Sequence, residues 1–203
     1  MLRLLNRLRT TPSTPGEIKP RIPAATIDSV PEDQRAEFES LVASLGGVPP
    51  YGPGSVMIQV PKAHQAATAL NDYLRRESSL PAKVLELSMI VTAREMDCQH
   101  IWNAHAGAAR AAGVPNTVVD ALRDRKELPP LAPDEAAVIN YGQEFFRTHR
   151  VSRGAFQAAL EQFGARGLVE LTLTMGNYSL LTFAVNAFDT DLPPERTEPL
   201  LPG

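Results

Sequence analysis

The chain has 203 residues and a net charge of −3. That length suits one well-packed domain and is short for two, and the slight acidity argues against a nucleic acid or an anionic membrane as partner. Cys98 is the only cysteine, so no internal disulfide can form, which fits a reducing compartment.

Residues 1–11, MLRLLNRLRTT, carry Arg3, Arg7 and Arg9 and no acid. They read either as a short amphipathic or disordered arm, or as a mitochondrial presequence. The expected location is the cytoplasm, with the presequence as the alternative. Prolines 12, 15, 20, 23 and 31 then make an extended lead-in, because proline lacks an amide donor. Residues 1–20 are treated as an N-terminal extension.

The first helix starts at Pro31, with Glu32 and Asp33 in its first turn and Phe38, Leu41, Val42 and Leu45 on one face. Gly46-Gly47 ends it. Residues 48–55 form a Pro/Gly loop, with a short helix from Ser55. A helix over 61–77 turns Ala67, Leu70, Tyr73 and Leu74 inward. Pro81 opens a largely buried helix to about Met96, whose apolar stripe is Val84, Leu85, Leu87, Ile90 and Val91.

The next helix runs from Asp97, a plausible N-cap, to Ala112, with Gly113 and Pro115 as stops. Asn116 caps a short helix, and a loop from Leu128 leads into a helix over 133–148. Ser152 to Phe163 forms another, ended by Gly164, and Arg166 to Phe188 the last. No strand pattern occurs, and no apolar run approaches the roughly eighteen residues of a membrane span. The domain spans 21–190, and the proline-rich tail 191–203 is expected to lie outside the core.

Chemistry concentrates between Leu85 and Val114. Cys98, Trp102 and His105 fall at i, i+4 and i+7, one face of a helix. Cys98 near a helix N-terminus reads as a nucleophile with a lowered pKa, or equally as a small buried hydrophobe. His105 suits acid/base work near neutral pH. Glu86 lies in an apolar helix and needs a partner, and pairing it with His105 accounts for both. Trp102 reads as a pocket wall, and His100 as a member of the site or of its mouth.

Arg94 and Lys83 are the nearest cations for a substrate carboxylate, although an exposed helix charge is the commoner explanation. Asn177, Tyr178 and Asn186 put polar groups in an apolar helix, as inter-helix bonds or pocket donors. His64 reads as structural and His149 as surface. The histidine spacing lacks an HExxH pattern, so no metal site is expected, and no phosphate-cradling glycine loop of the P-loop or dinucleotide kind is present.

The segment RRESSLPAKVLELSMIVTARE, followed by Trp102-x-x-His105-x-x-x-Ala109-x-x-x-Gly113 and the ending Val185-Asn-Ala-Phe-Asp189, resembles the carboxymuconolactone decarboxylase family, which includes alkyl hydroperoxidase D. The likeness covers about residues 20–190. It implies an all-α helical bundle of the alkyl hydroperoxidase D type and a homo-oligomer, as dimer, trimer or hexamer. In the peroxidase branch a Glu, a Cys-x-x-Cys pair and a His form the proton relay. Glu86, Cys98, His100 and His105 match four of its places, but Ile101 stands where the attacking cysteine would be. Trp102 looks more like the non-redox branch, in which a histidine works on a small carboxylated substrate without cofactor.

Three functional readings follow from the resemblance and the residues. The leading one is a cofactor-free lyase of decarboxylase type acting on a small carboxylated or cyclic metabolite. There His105 is the acid/base, Glu86 its orienter, and Trp102, His100 and Arg94 the substrate contacts. The second is a peroxidase using Cys98 alone, resolved by an external thiol. The third is a non-catalytic helical assembly protein.

Overall fold

The computed structural model describes residues 20–202. The presequence reading of residues 1–11 lies outside them. Eight α-helices follow one another: α1 Arg35–Leu45, α2 Pro53–Met57, α3 Pro61–Arg76, α4 Ala82–Glu95, α5 Gln99–Ala111, α6 Asn116–Asp124, α7 Pro133–Thr148 and α8 Arg153–Phe188. The described residues contain no strand.

Prolines and glycines set most of the bounds. Pro53, Pro61 and Pro133 occupy the first helical position of α2, α3 and α7, where a missing amide donor costs nothing. The Pro31 start is a short 3₁₀ turn, Glu32–Gln34, that feeds α1. Gly46 closes α1 in the left-handed conformation. Inside α8, Gly164 has φ 66° and ψ 176°, so the backbone breaks there. α8 is therefore two helical segments that meet at a glycine, each exposing its own apolar face.

α4 is the hub. It packs against α5, α7 and α8, and every residue from Leu87 to Arg94 is buried. A helix covered on all sides has no room for an alternating polar face, which is why its apolar stripe is so wide. Trp102, Val138, Ile139 and Leu171 close around Ile90 and Val91. Gly142 lets α7 approach α4 and α8: a Cβ there would lie 2.8 Å from Met175 and 2.9 Å from Val91. A smaller cluster of Ala25, Val30, Phe38 and Ile58 joins the N-terminal segment to α1 and α2. α8 taken whole is long and apolar enough to cross a membrane, yet half of its most apolar stretch is buried here as core.

Three sequence expectations change. Leu70 and Tyr73 of α3, expected to face inward, stand exposed, and of the four residues expected on that face only Leu74 is buried. Asp97 is not the N-cap of α5. It adopts φ 49° and its carboxylate joins Arg94 and Arg125, so Cys98 takes the cap position. The tail also does not lie outside the core. Leu201 is buried within the main cluster, and residues 197–201 run along α5 as a strap. Gln99 donates to the Leu201 carbonyl and accepts from its amide, both at 2.8 Å. The Trp102 indole donates to the Pro199 carbonyl at 3.1 Å, Thr197 donates to the Asn103 carbonyl, and Arg110 pairs with Glu198 at 3.2 Å. Backbone groups of the strap take most of these bonds, so its side chains gave no hint of it.

Glu170 anchors α8 beneath the α3–α4 turn. Its carboxylate accepts from the Tyr73 hydroxyl at 2.8 Å, from the Ser79 amide at 2.8 Å and hydroxyl at 2.6 Å, and from Arg166 at 2.9 Å. Burial alone would raise its pKa, but these donors together outweigh burial and hold it at about 2, against an ordinary 4.5. The folded state thus keeps Glu170 ionised where the unfolded chain takes up a proton. Its stabilisation is complete above pH 4.5 and is lost as pH falls toward 2. Glu170→Gln is expected to cost about 1–3 kcal/mol at neutral pH. Urea melts should show that this difference shrinks as pH is lowered through that window.

Candidate active site

Glu86 projects from the middle of α4 and His105 from the middle of α5. The structure places His105 Nδ1 2.8 Å from Glu86 Oε2. The carboxylate can only accept, so Nδ1 carries the proton and Nε2 is left with its lone pair. His105 is buried, and its ring meets Tyr178 of α8 edge-on at 5.0 Å between centroids and 86° between planes. The imidazole is thus held by a hydrogen bond on one side and a ring on another.

Arg75, near the end of α3, reaches the other Glu86 oxygen at 3.8 Å and is half exposed. Burial pushes the Tyr178 phenol up to about 12, Glu86 adding to that and Arg75 opposing it. Tyr178 therefore stays a neutral hydroxyl at any physiological pH. Glu86, His105, Arg75 and Tyr178 form one constellation from four helices, and it meets solvent where Arg75 lies. This arrangement holds an acid/base group in a fixed tautomer, beside a cation that can receive a carboxylate.

The remaining candidates lie elsewhere. Cys98 is fully buried. Burial raises its pKa, against the smaller pull of the Ile101 and His100 amides and the Thr182 hydroxyl. A protonated, covered thiol is a poor nucleophile. Trp102 is fully buried and faces the strap. Arg94 is buried, is paired with Asp97 and sits about 12 Å further along α4 than Glu86. Lys83 is held by Glu135 at 2.8 Å and Asp134 at 3.0 Å. His100 lies about 140° around α5 from His105 and packs on Gly52.

Asn177 donates to Asn71 and Asn186 to the Met96 carbonyl, so both tie helices together. No three His, Cys, Asp or Glu among the described residues converge as a metal site. Sequence reasoning missed Arg75, although it lies within the segment that carried the resemblance. Its approach to Glu86 depends on the turn at 77–81, whose geometry Glu170 sets. The spacing of Glu86 and His105 gave no sign of the Arg75 contact.

The fold and the constellation define an all-helical protein of the alkyl hydroperoxidase D type with a Glu–His pair and a single cysteine. Residues 61–144 match the Carboxymuconolactone decarboxylase family. The match spans α3 to most of α7 and so includes Arg75, Glu86, Cys98 and His105.

Solved structures share the fold. An uncharacterized peroxidase-related protein from Ralstonia eutropha JMP134, with an alkylhydroperoxidase AhpD core, has 17% identity and a TM-score of 0.65 over 86% of this chain and 93% of its own. A peroxidase-related protein from Silicibacter sp. TM1040 has 16% identity and a TM-score of 0.63 over 90% and 96%. A cysteine-to-alanine variant of the debrominase Bmp8, in complex with 2,3,4-tribromopyrrole, has 11% identity and a TM-score of 0.59 over 84% and 90%. No curated protein matches the chain at a significant level.

The burial of Cys98 gives a direct test. The native protein should react with a disulfide reagent such as Ellman's reagent orders of magnitude more slowly than the urea-unfolded chain. Equal rates would mean an accessible thiol.

Proposed function

We propose that the chain is a cofactor-free lyase of decarboxylase type, acting on a small carboxylated or cyclic metabolite. The observation that carries this reading is the 2.8 Å bond between Glu86 and His105 Nδ1. It leaves Nε2 as the working nitrogen. Arg75 binds the substrate carboxylate, a role the sequence gave to Arg94. Nε2 picks up a proton from solvent and becomes the acid. As the C–C bond to the carboxylate breaks, carbon dioxide leaves and the electron pair passes into an enolate. The imidazolium then gives the proton to carbon. The neutral hydroxyl of Tyr178, whose ring meets His105, is the donor for the enolate oxygen.

The fold also serves proteins named as peroxidase-related. A thiol cycle here would have to run through Cys98, and burial of that thiol favours the acid/base reading. The debrominase neighbour holds a small aromatic ring, which fits a small cyclic substrate.

The test is turnover of γ-carboxymuconolactone, followed by ultraviolet absorbance. His105→Ala should lower kcat by about 10²–10⁴-fold, and Glu86→Gln by a smaller factor. Arg75→Ala should act mainly on KM, and Cys98→Ser should leave turnover in place. Full activity in His105→Ala would sink the reading.

The expected partner is a second copy of the chain. Val169, Leu173, Leu180 and Phe183 stand exposed on α8 at helical spacing, with Leu70 and Tyr73 exposed on the adjoining α3. An apolar stripe of this kind favours association. Light scattering on Phe183→Lys/Leu180→Lys should show a smaller particle than wild type, with far-ultraviolet dichroism unchanged. A monomeric wild type would remove the proposal.

A further inference from the structure

A large cavity touches neither Glu86 nor His105. It encloses about 780 Å³ between the start of α5, the loop at Pro50 and Tyr51, the end of α8 and the strap. That volume is typical of a small-molecule site. Its apolar walls include Tyr51, Val185, Leu192 and Leu200.

Two of the four charged groups that line it are already paired. Asp97 is clasped by Arg94 and Arg125, and Asp189 by Arg21 at 2.6 Å. Asp191 and Arg196 line the cavity, one of each sign, and neither forms an ion pair among the described residues. The unpaired lining charges are thus one of each sign, with no excess of a single sign to hold an ionised ligand, and burying an uncompensated ion is unfavourable.

Two polar groups of the lining lack partners. His100 Nδ1 and Thr190 Oγ1 are covered and make no hydrogen bond, and Thr190 is only 8% exposed. An orphaned buried polar atom is costly and draws in a group that can bond it. His100 is seated by design of the backbone: a Cβ on Gly52 would fall 2.6 Å from both Cε1 and Nε2, and Gly52 has φ +75°. Burial and the neighbouring His105 favour the neutral ring, which offers one donor and one acceptor.

Much of the wall is the C-terminal segment that leads into the strap, and Leu200 of the strap itself lines it. Residues from Thr190 to Leu200 line the cavity, and the strap is held at Trp102, Gln99, Asn103 and Arg110. The cavity exists in this form only with the strap docked. Anything that binds it therefore stabilises the docked strap, and loosening the strap weakens binding.

We propose that this cavity is a second small-molecule site, separate from the Glu86–His105 centre. It takes an uncharged molecule with an apolar ring and one hydroxyl or carbonyl, and the docked strap is part of it. Trp102, the only tryptophan, bonds the strap and so reports on it.

The experiment follows the Trp102 indole N–H resonance of the full chain during titration with cyclohexanol. Cyclohexanecarboxylate and cyclohexylammonium serve as charged congeners. Saturation by cyclohexanol and not by the two ions is expected. His100→Phe, which keeps a ring against Gly52, should weaken binding about tenfold. Glu198→Ala, which loosens the strap without touching the cavity lining, should weaken it severalfold. A non-saturating wild-type response, equal binding of either ion, or wild-type affinity in either variant overturns the proposal.

Discussion

A carboxylate in the middle of a buried helix has to be answered. α4 is covered by three other helices, and Glu86 sits among its apolar residues. An unpaired charge there would cost more than one domain can spare. The His105 ring on α5 answers it directly, and Arg75 on α3 answers it from the solvent side. One requirement thus fixes the relative placement of three helices. It also leaves an imidazole with one nitrogen committed and the other available. Stability and chemistry rest on the same contact.

The second carboxylate of this kind, Glu170, does purely structural work. It gathers the α3–α4 turn with Tyr73, Ser79 and Arg166, and this turn brings Arg75 over Glu86. The two acids are therefore linked in series: Glu170 sets the turn, the turn sets Arg75, and Arg75 completes the outer edge of the site. The thiol belongs to neither system. Cys98 caps α5 from within the core and packs as a hydrophobe, which on the proposed reading leaves the Glu–His pair to carry the chemistry.

Helix bounds were legible in the sequence where proline or glycine made them. Pro61, Pro133 and Gly164 each act through backbone geometry that any surroundings would preserve. The Glu86–His105 contact was legible because a buried acid and a buried imidazole each need a partner. The α5 cap was misread because Asp97, a good cap by type, is drawn away by Arg94 and Arg125 into a left-handed turn. The strap was illegible for another reason. Gln99 and Trp102 bind its backbone carbonyls and amide, and backbone groups leave no pattern in a sequence. Arg75 was missed because its role depends on the shape of a turn.

The central claim is that Glu86 holds His105 with the proton on Nδ1. Long-range proton–nitrogen correlation of the histidine rings tests it most directly. In wild type, His105 should show the Nδ1–H tautomer with an unprotonated Nε2 when neutral, and Glu86→Leu should abolish that preference. A wild-type ring protonated on Nε2 alone, or a tautomer unchanged by Glu86→Leu, would contradict the account.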